Sequence, residues 1–221
     1  MVNTSSIART VQAISELMTE NRDLLVKLDQ VNGDGDLGIS MDDGFRALAD
    51  FFANAAPEDL GQAFREGSKV LNASAPSSLG TILSFGLMGM AKALRGQTEV
   101  DPATAASALV DGVENIMVKA ESKPGEKTIL DSLHPGAVAL RDALASEGSS
   151  DASSSEGSTV AEATRHAAKV AAEGSEATKQ MQAVHGRAAY SASRSIGILD
   201  GGSVVGKLIF EGVANAVRPE A

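Results

Sequence analysis

The chain has 221 residues, no cysteine, no tryptophan and one tyrosine, with a formal net charge of −10. Thiolate metal sites, thiolate catalysis and disulfides are excluded, and the acidic excess excludes nucleic acid as an expected partner, since phosphates call for basic residues. With 43 % hydrophobic but only 3 % aromatic residues, the core must be built from Ala, Leu, Val, Ile and Met, which suits closely packed helices.

Apolar residues recur at three- and four-residue intervals along nearly the whole chain, which predicts an all-α domain spanning residues 1–221. Ile7, Val11, Ile14, Leu17 and Met18 form a first stripe, which Leu24, Leu25 and Leu28 carry on to Asp29. Met41, Phe45, Leu48 and Phe52 form a second. Pro57, followed by Glu58 and Asp59, opens a helix to about Leu71, with acids at the positive end of its dipole. Further helices are predicted from Pro76 to about Leu94, Pro102 to Ala120, Thr128 to Ala145, Ser158 to Val184 with Gly174 as a break, and Ser203 to Val217. No segment alternates with strand period. Residues 146–158, rich in Ser, Gly and acid, cannot bury apolar surface and are expected to form a mobile loop. Residues 1–9 hold no apolar signal-peptide core, and the uncharged run 70–91 is broken by Asn72, Pro76 and five hydroxyl residues. The expectation is a cytoplasmic protein without a membrane span.

Four stretches carry chemistry. In LDQVNGDGDLGISM, residues 28–41, Asp29, Asp34 and Asp36 place three carboxylates within eight residues of a glycine-rich loop. Such carboxylates repel one another unless a cation lies between them, and hard oxygen ligands suit Mg²⁺ or Ca²⁺. An EF-hand alignment starting at Asn32 fails because Leu37 occupies the position that demands Gly. A Gly/Asp turn without metal remains an alternative on this stretch alone. In NASAPSSLGT, residues 72–81, Pro76, Ser77, Ser78 and Gly80 open a helix, which is either an anion site or plain serine capping. No P-loop pattern occurs. The third stretch, GEKTILDSLHP, runs from Gly125 to Pro135. The fourth, Gly186 to Ser203, carries Arg187, Arg194, Asp200 and the Gly201–Gly202 turn. An arginine beside phosphates can stabilise charge during transfer, although a lone arginine is more often a surface or capping charge. His134, His166 and His185 share no metal-ligand spacing and read as structural.

Together, in register over about 175 residues (28–202), these stretches resemble the nucleotide-binding L subunit or domain of dihydroxyacetone kinases. Asp29, Asp34 and Asp36 match its D-x₄-D-x-D pattern. Gly125, Lys127, Thr128, Asp131 and Pro135 match its G-D-K-T-x₂-D-x₃-P run, with Glu126 in place of Asp, and residues 186–202 match its terminal G-R-A-x-Y motif. The resemblance implies a barrel of eight antiparallel helices. It implies that the three aspartates hold two Mg²⁺ ions bridging the phosphates of ADP or ATP. Leu37, Gly38, Ile39, Ser40, Ser77, Ser78, Gly125, Thr128, Arg187, Asp200, Gly201 and Gly202 would then surround the nucleotide, with Arg187 also acting in catalysis. It further implies that the sugar is held on a separate K-type partner, for which this chain has no room. A phosphotransferase-system protein is a candidate donor in one branch, and a homodimer is expected. Departures from the pattern are Leu37 for His, Ser40 for Asn, APSSLG for G-x-L-Y-G, and Gly201 for Pro. They flank the nucleotide, so donor and ketose size stay open. A phosphotransferase subunit is the leading reading, and a non-catalytic nucleotide-binding regulator of the same fold is the alternative.

Overall fold

The computed structural model describes residues 1–31, 33–146 and 156–217. Helices dominate: α1 (Thr4–Glu20), α2 (Arg22–Gln30), α3 (Leu37–Asn54), α4 (Leu60–Ser74), α5 (Ser78–Ala93), α6 (Pro102–Ala120), α7 (Leu130–Ser146), α8 (Glu156–Ala177) and α9 (Gly201–Ala216). A 3₁₀ turn, Thr178–Gln180, follows α8, and a 3₁₀ segment, Arg187–Ser195, precedes α9. The expected loop at 146–158 falls mainly outside the described residues. Its ends, Ser146 and 156–158, close α7 and open α8.

The structure corrects several boundaries. The first stripe is two helices, because Asn21 turns its side-chain amide back onto the Leu17 carbonyl at 2.9 Å and caps α1. The second stripe starts at Leu37, four residues before Met41, so Gly38 and Ser40 are helical. The helix expected from Pro57 starts at Leu60, with Asp59 as its cap. The long helix expected to reach Val184 ends at Ala177, and the chain then crosses the surface to α9. There is also a strand pair, β1 (Val2–Asn3) with β2 (Glu99–Val100), antiparallel with Val2 opposite Val100. Two residues per strand are too short to show a period of two in the sequence.

Each helix from α3 to α8 packs on its successor, α9 packs on α1, and α1 packs on α3. Small residues let neighbours approach closely: a Cβ on Gly89 would lie 2.7 Å from Gly112 Cα, across the α5–α6 contact. The core between the helices is aliphatic, with Met18, Leu25, Met41, Leu60, Val205 and Phe210 at 0 % exposure. A buried hydroxyl cluster joins α7, α8 and α9: Ser132 donates to the Ser203 carbonyl at 2.8 Å, and Ser175 and Ser203 share a 3.0 Å bond. Such groups cost free energy unless bonded, and these are satisfied. Among the described residues, no helix is long and apolar enough to cross a membrane.

Candidate functional site

The acidic loop is shaped by Asp29, in the last turn of α2. Its Oδ2 accepts the amide N–H of Gly35 at 2.7 Å and of Asp36 at 3.1 Å, curling the chain back on the helix end. Gly35 takes φ +79°, which a residue with a Cβ adopts only at a cost. The result brings carboxylate oxygens of Asp29, Asp34 and Asp36 all within 4.8 Å of one another. Asp36 precedes α3, but its side chain makes no cap bond and interacts instead with Asp34. Burial raises the Asp36 pKa, and the neighbouring Asp34 and Asp29 charges raise it further. That mutual repulsion is what a divalent cation would relieve, and three oxygen donors without thiolate or imidazole suit Mg²⁺.

Two other stretches converge here. Arg187 Nη2 meets Asp34 Oδ2 at 2.6 Å, although the two residues lie far apart in the sequence. The α9 end arrives beneath: a Cβ on Gly201 would lie 2.7 Å from Leu37 Cδ2, so the absence of a side chain lets the turn sit against the start of α3. Asp200 caps α9 by accepting the Ser203 N–H at 2.6 Å. Leu37 and Ser40 are buried, and the Ser40 hydroxyl returns to the Leu37 carbonyl at 3.2 Å. The Ser40 N–H donates to the Asp36 carbonyl at 2.9 Å, so the contact left to offer a ligand is the Leu37 amide at the helix N-terminus, where free N–H groups favour anions. Ile39 is 43 % exposed.

The third stretch is organised by Asp131, which is buried and accepts the N–H of Gly125 at 2.5 Å and of Thr128 at 2.7 Å. Those two amides are therefore occupied, and the Thr128 hydroxyl accepts the Leu130 N–H at 3.2 Å, which leaves its own O–H as a donor. Ser77 caps α5, accepting the Gly80 N–H at 3.2 Å. With Ser78 it lines a separate open cleft of about 550 Å³, together with Pro76, Thr81, Ile82 and Ala120. Just before this cleft the chain packs on α3, where a Cβ on Gly44 would meet Ala75 Cβ at 2.7 Å. His166 is exposed, and His185 shares a 2.6 Å hydrogen bond with Glu126.

The DAK2 domain pattern matches residues 31–215. The chain belongs to the DAK2 domain family. It is 31 % identical over 202 residues to the ADP-binding subunit DhaL of a PEP-dependent dihydroxyacetone kinase from Listeria innocua, covering 91 % of each chain. It is 29 % identical over 213 residues to D-erythrulose kinase of Mycolicibacterium smegmatis, covering 96 % of this chain and 35 % of that one. Among solved structures, the dihydroxyacetone kinase from C. freundii in complex with AMP-PNP and Mg²⁺ superposes with a TM-score of 0.71 at 20 % identity, over 97 % of this chain and 34 % of that one. At that identity the likeness speaks for the fold.

Sequence reasoning on this DAK2 domain left Lys127 and Asp131 without a role. Lys127 is 6 % exposed, and its ammonium donates to the carbonyls of Thr178 at 2.5 Å and Ile198 at 2.6 Å. Burial lowers its pKa, which the Asp200 and Asp131 charges oppose. The signal the sequence carried was the place of Lys127 and Asp131 in the G-D-K-T-x₂-D-x₃-P match, which names the residues without showing what they bond.

Burial pushes the Asp200 carboxyl up to about 6 from an ordinary 3.8. Between those values the folded state holds a proton that the unfolded chain has released. The stability from this group is therefore full below pH about 4 and lost as pH rises through about 6. At 1.36 kcal/mol per unit the loss is at most about 3 kcal/mol. Asp200→Asn keeps an N-cap acceptor and removes the titration. Urea unfolding at pH 4 and pH 7.5 is expected to show wild type losing about 2 kcal/mol relative to the variant. Parallel behaviour of the two proteins would contradict the buried, proton-holding carboxyl.

Proposed function

We propose that the chain is the Mg²⁺–nucleotide-binding phosphotransferase unit of a small-ketose kinase, transferring a phosphoryl group to a sugar held on a K-type partner. The observation that carries this reading is the cluster of Asp29, Asp34 and Asp36 oxygens within 4.8 Å of one another at the start of α3, in a DAK2 chain. The ADP-binding name of the Listeria relative supports it, as does the AMP-PNP and Mg²⁺ in the C. freundii protein. We read the closed run of helix contacts as the eight-helix barrel of the family, with α2 as an addition on α3 and α9.

Asp29, Asp34 and Asp36 would hold Mg²⁺, with two ions our expectation, since three carboxylates leave room for phosphate oxygens and water. The metal they hold would supply positive charge to neutralise the nucleotide phosphates. Asp29 sets the loop and offers its second oxygen. The first-turn amides of α3, from Leu37 to Ile39, present N–H groups to a phosphate, while the Ser40 N–H is held by the Asp36 carbonyl at 2.9 Å. Arg187, 63 % exposed, is free to swing from Asp34 to a transferring phosphoryl group. Asp200, Gly201 and Gly202 bring a side-chain-free turn against the site, and the Ser77–Ser78 cleft receives the rest of the nucleotide. The Thr128 hydroxyl completes the lining. The reading places the protein in the cytoplasm, with its partner and either ATP or a phosphotransferase-system protein as donor.

The test has two parts. Calorimetric titration of ADP is expected to show binding in Mg²⁺ buffer and little in EDTA. A transfer assay with a K-type subunit and a panel of three- and four-carbon ketoses, supplied with ATP or with phosphoenolpyruvate-system proteins, is expected to give product only when both subunits are present. Equal ADP affinity in both buffers would overturn the metal-dependent site.

A further inference from the structure

The segment between α8 and α9 is a strap whose two ends are held by one side chain. Lys127 Nζ donates to the carbonyl of Thr178 at 2.5 Å and to that of Ile198 at 2.6 Å. Next to this clasp, the Gly197 N–H donates to the Lys179 carbonyl at 2.7 Å, closing residues 179–197 into a loop. Inside the loop, Ser195 Oγ accepts the Ala183 N–H at 3.0 Å. The platform under it is the loop that carries Lys127: the Glu126 carbonyl accepts the Val184 N–H at 3.2 Å, and the Glu126 carboxylate bonds His185. Arg187 lies two residues beyond His185 and reaches Asp34.

Lys127 has φ +59°, a left-handed conformation that glycine or asparagine adopts more easily. A lysine kept at such a position points to its side chain as the reason. The side chain is buried, and two of its three N–H donors are taken by carbonyls, so it does not present its charge to a ligand as a phosphate-binding lysine does. Without it the Ile198 carbonyl would lose this partner, and the Thr178 carbonyl would keep the Met181 N–H at 3.1 Å.

We propose that Lys127 is a positioning residue for phosphoryl transfer: its ammonium clasps both ends of the 179–197 strap and thereby fixes where Arg187 meets the metal-binding carboxylates. This rests on the function proposed above and extends it to a residue that touches neither metal nor nucleotide.

The test is a double-mutant cycle with the full chain and its K-type partner, joined to hydrogen exchange of the chain alone. Lys127→Met is expected to lower kcat at least tenfold with the ketose KM within twofold of wild type, and Arg187→Ala is expected to lower it about 100-fold. The double variant is expected to be no slower than Arg187→Ala, because the clasp acts through that arginine. In hydrogen exchange without nucleotide, peptides across 181–199 are expected to exchange at least tenfold faster in Lys127→Met, while those of α5 and α6 are unchanged. Multiplicative losses in the cycle, or strap exchange equal to wild type, would overturn the proposal. If Lys127→Met does not fold, Lys127→Arg, which keeps the charge but carries its donors on a wider planar head, enters the same cycle with the same deciding outcomes. If the wild-type pair transfers no phosphoryl group, the proposed function fails, and the exchange experiment still decides whether Lys127 is the clasp.

Discussion

Asp34→Asn is expected to weaken Mg²⁺–ADP binding about 100-fold, close to 2.7 kcal/mol, and to leave the fold intact. The substitution keeps the shape of the side chain and removes one of three charges whose oxygens lie within 4.8 Å of one another. Asp34 is 49 % exposed and its pairing with Arg187 is a surface one, so the effect on folding is expected within about 1 kcal/mol. Metal and nucleotide should each raise the affinity of the other, as linkage requires. The variant should therefore lose most of the Mg²⁺ effect on ADP and little of any binding seen in EDTA. Calorimetric titrations of wild type and variant in both buffers, with a thermal melt of each, measure this directly. Normal Mg²⁺–ADP affinity in the variant would reduce the acidic loop to a glycine-rich turn.

The second large effect concerns stability. Phe210 in α9 has 0 % exposure, and its ring lies on the backbone of α7 at Gly136, where a Cβ would come within 2.6 to 2.9 Å of three ring atoms. Gly136 is thus a seat for the ring, following the Pro135 that stands inside α7. Phe210→Ala is expected to cost about 3–5 kcal/mol, since the cavity left behind cannot collapse onto a helix backbone. Measured by urea unfolding, that is roughly a fifth or more of a typical domain's stability of about 5–15 kcal/mol. A loss below about 1 kcal/mol would show that α7 and α9 close the gap.

The acidic loop was legible in the sequence because everything that shapes it is local: Asp29 bonds amides six and seven residues away. The helical class was legible from period alone. Helix edges were less so, because Gly38 and Ser40 look like loop residues, whereas packing of Gly38 against Arg22 and Val26 of α2 holds them in α3. Of the predicted ligand residues, Gly125 has its amide taken by Asp131, and Ser77 uses its hydroxyl as a helix cap. The capping was one of the two readings the Ser77 stretch allowed, whereas the Gly125 bond follows from no motif. Lys127 stood in the G-D-K-T match, but its role was not legible because its partners lie 51 and 71 positions away, and no pattern of spacing reports a bond of that range. The Ser132, Ser175 and Ser203 cluster escaped for the same reason, although three buried hydroxyls in an aliphatic core define how α7, α8 and α9 meet.

The strap also carries the chain's one tyrosine, Tyr190, at 93 % exposure, and the chain has no tryptophan. Intrinsic ultraviolet fluorescence therefore originates almost wholly from a single ring three residues from Arg187. The protein comes with a built-in optical reporter: emission, quenching by small solutes and anisotropy all describe the strap rather than the molecule as a whole. Wild-type protein can be followed during nucleotide addition or stopped-flow mixing without a label, and a tryptophan placed anywhere else would report a second location against that isolated signal.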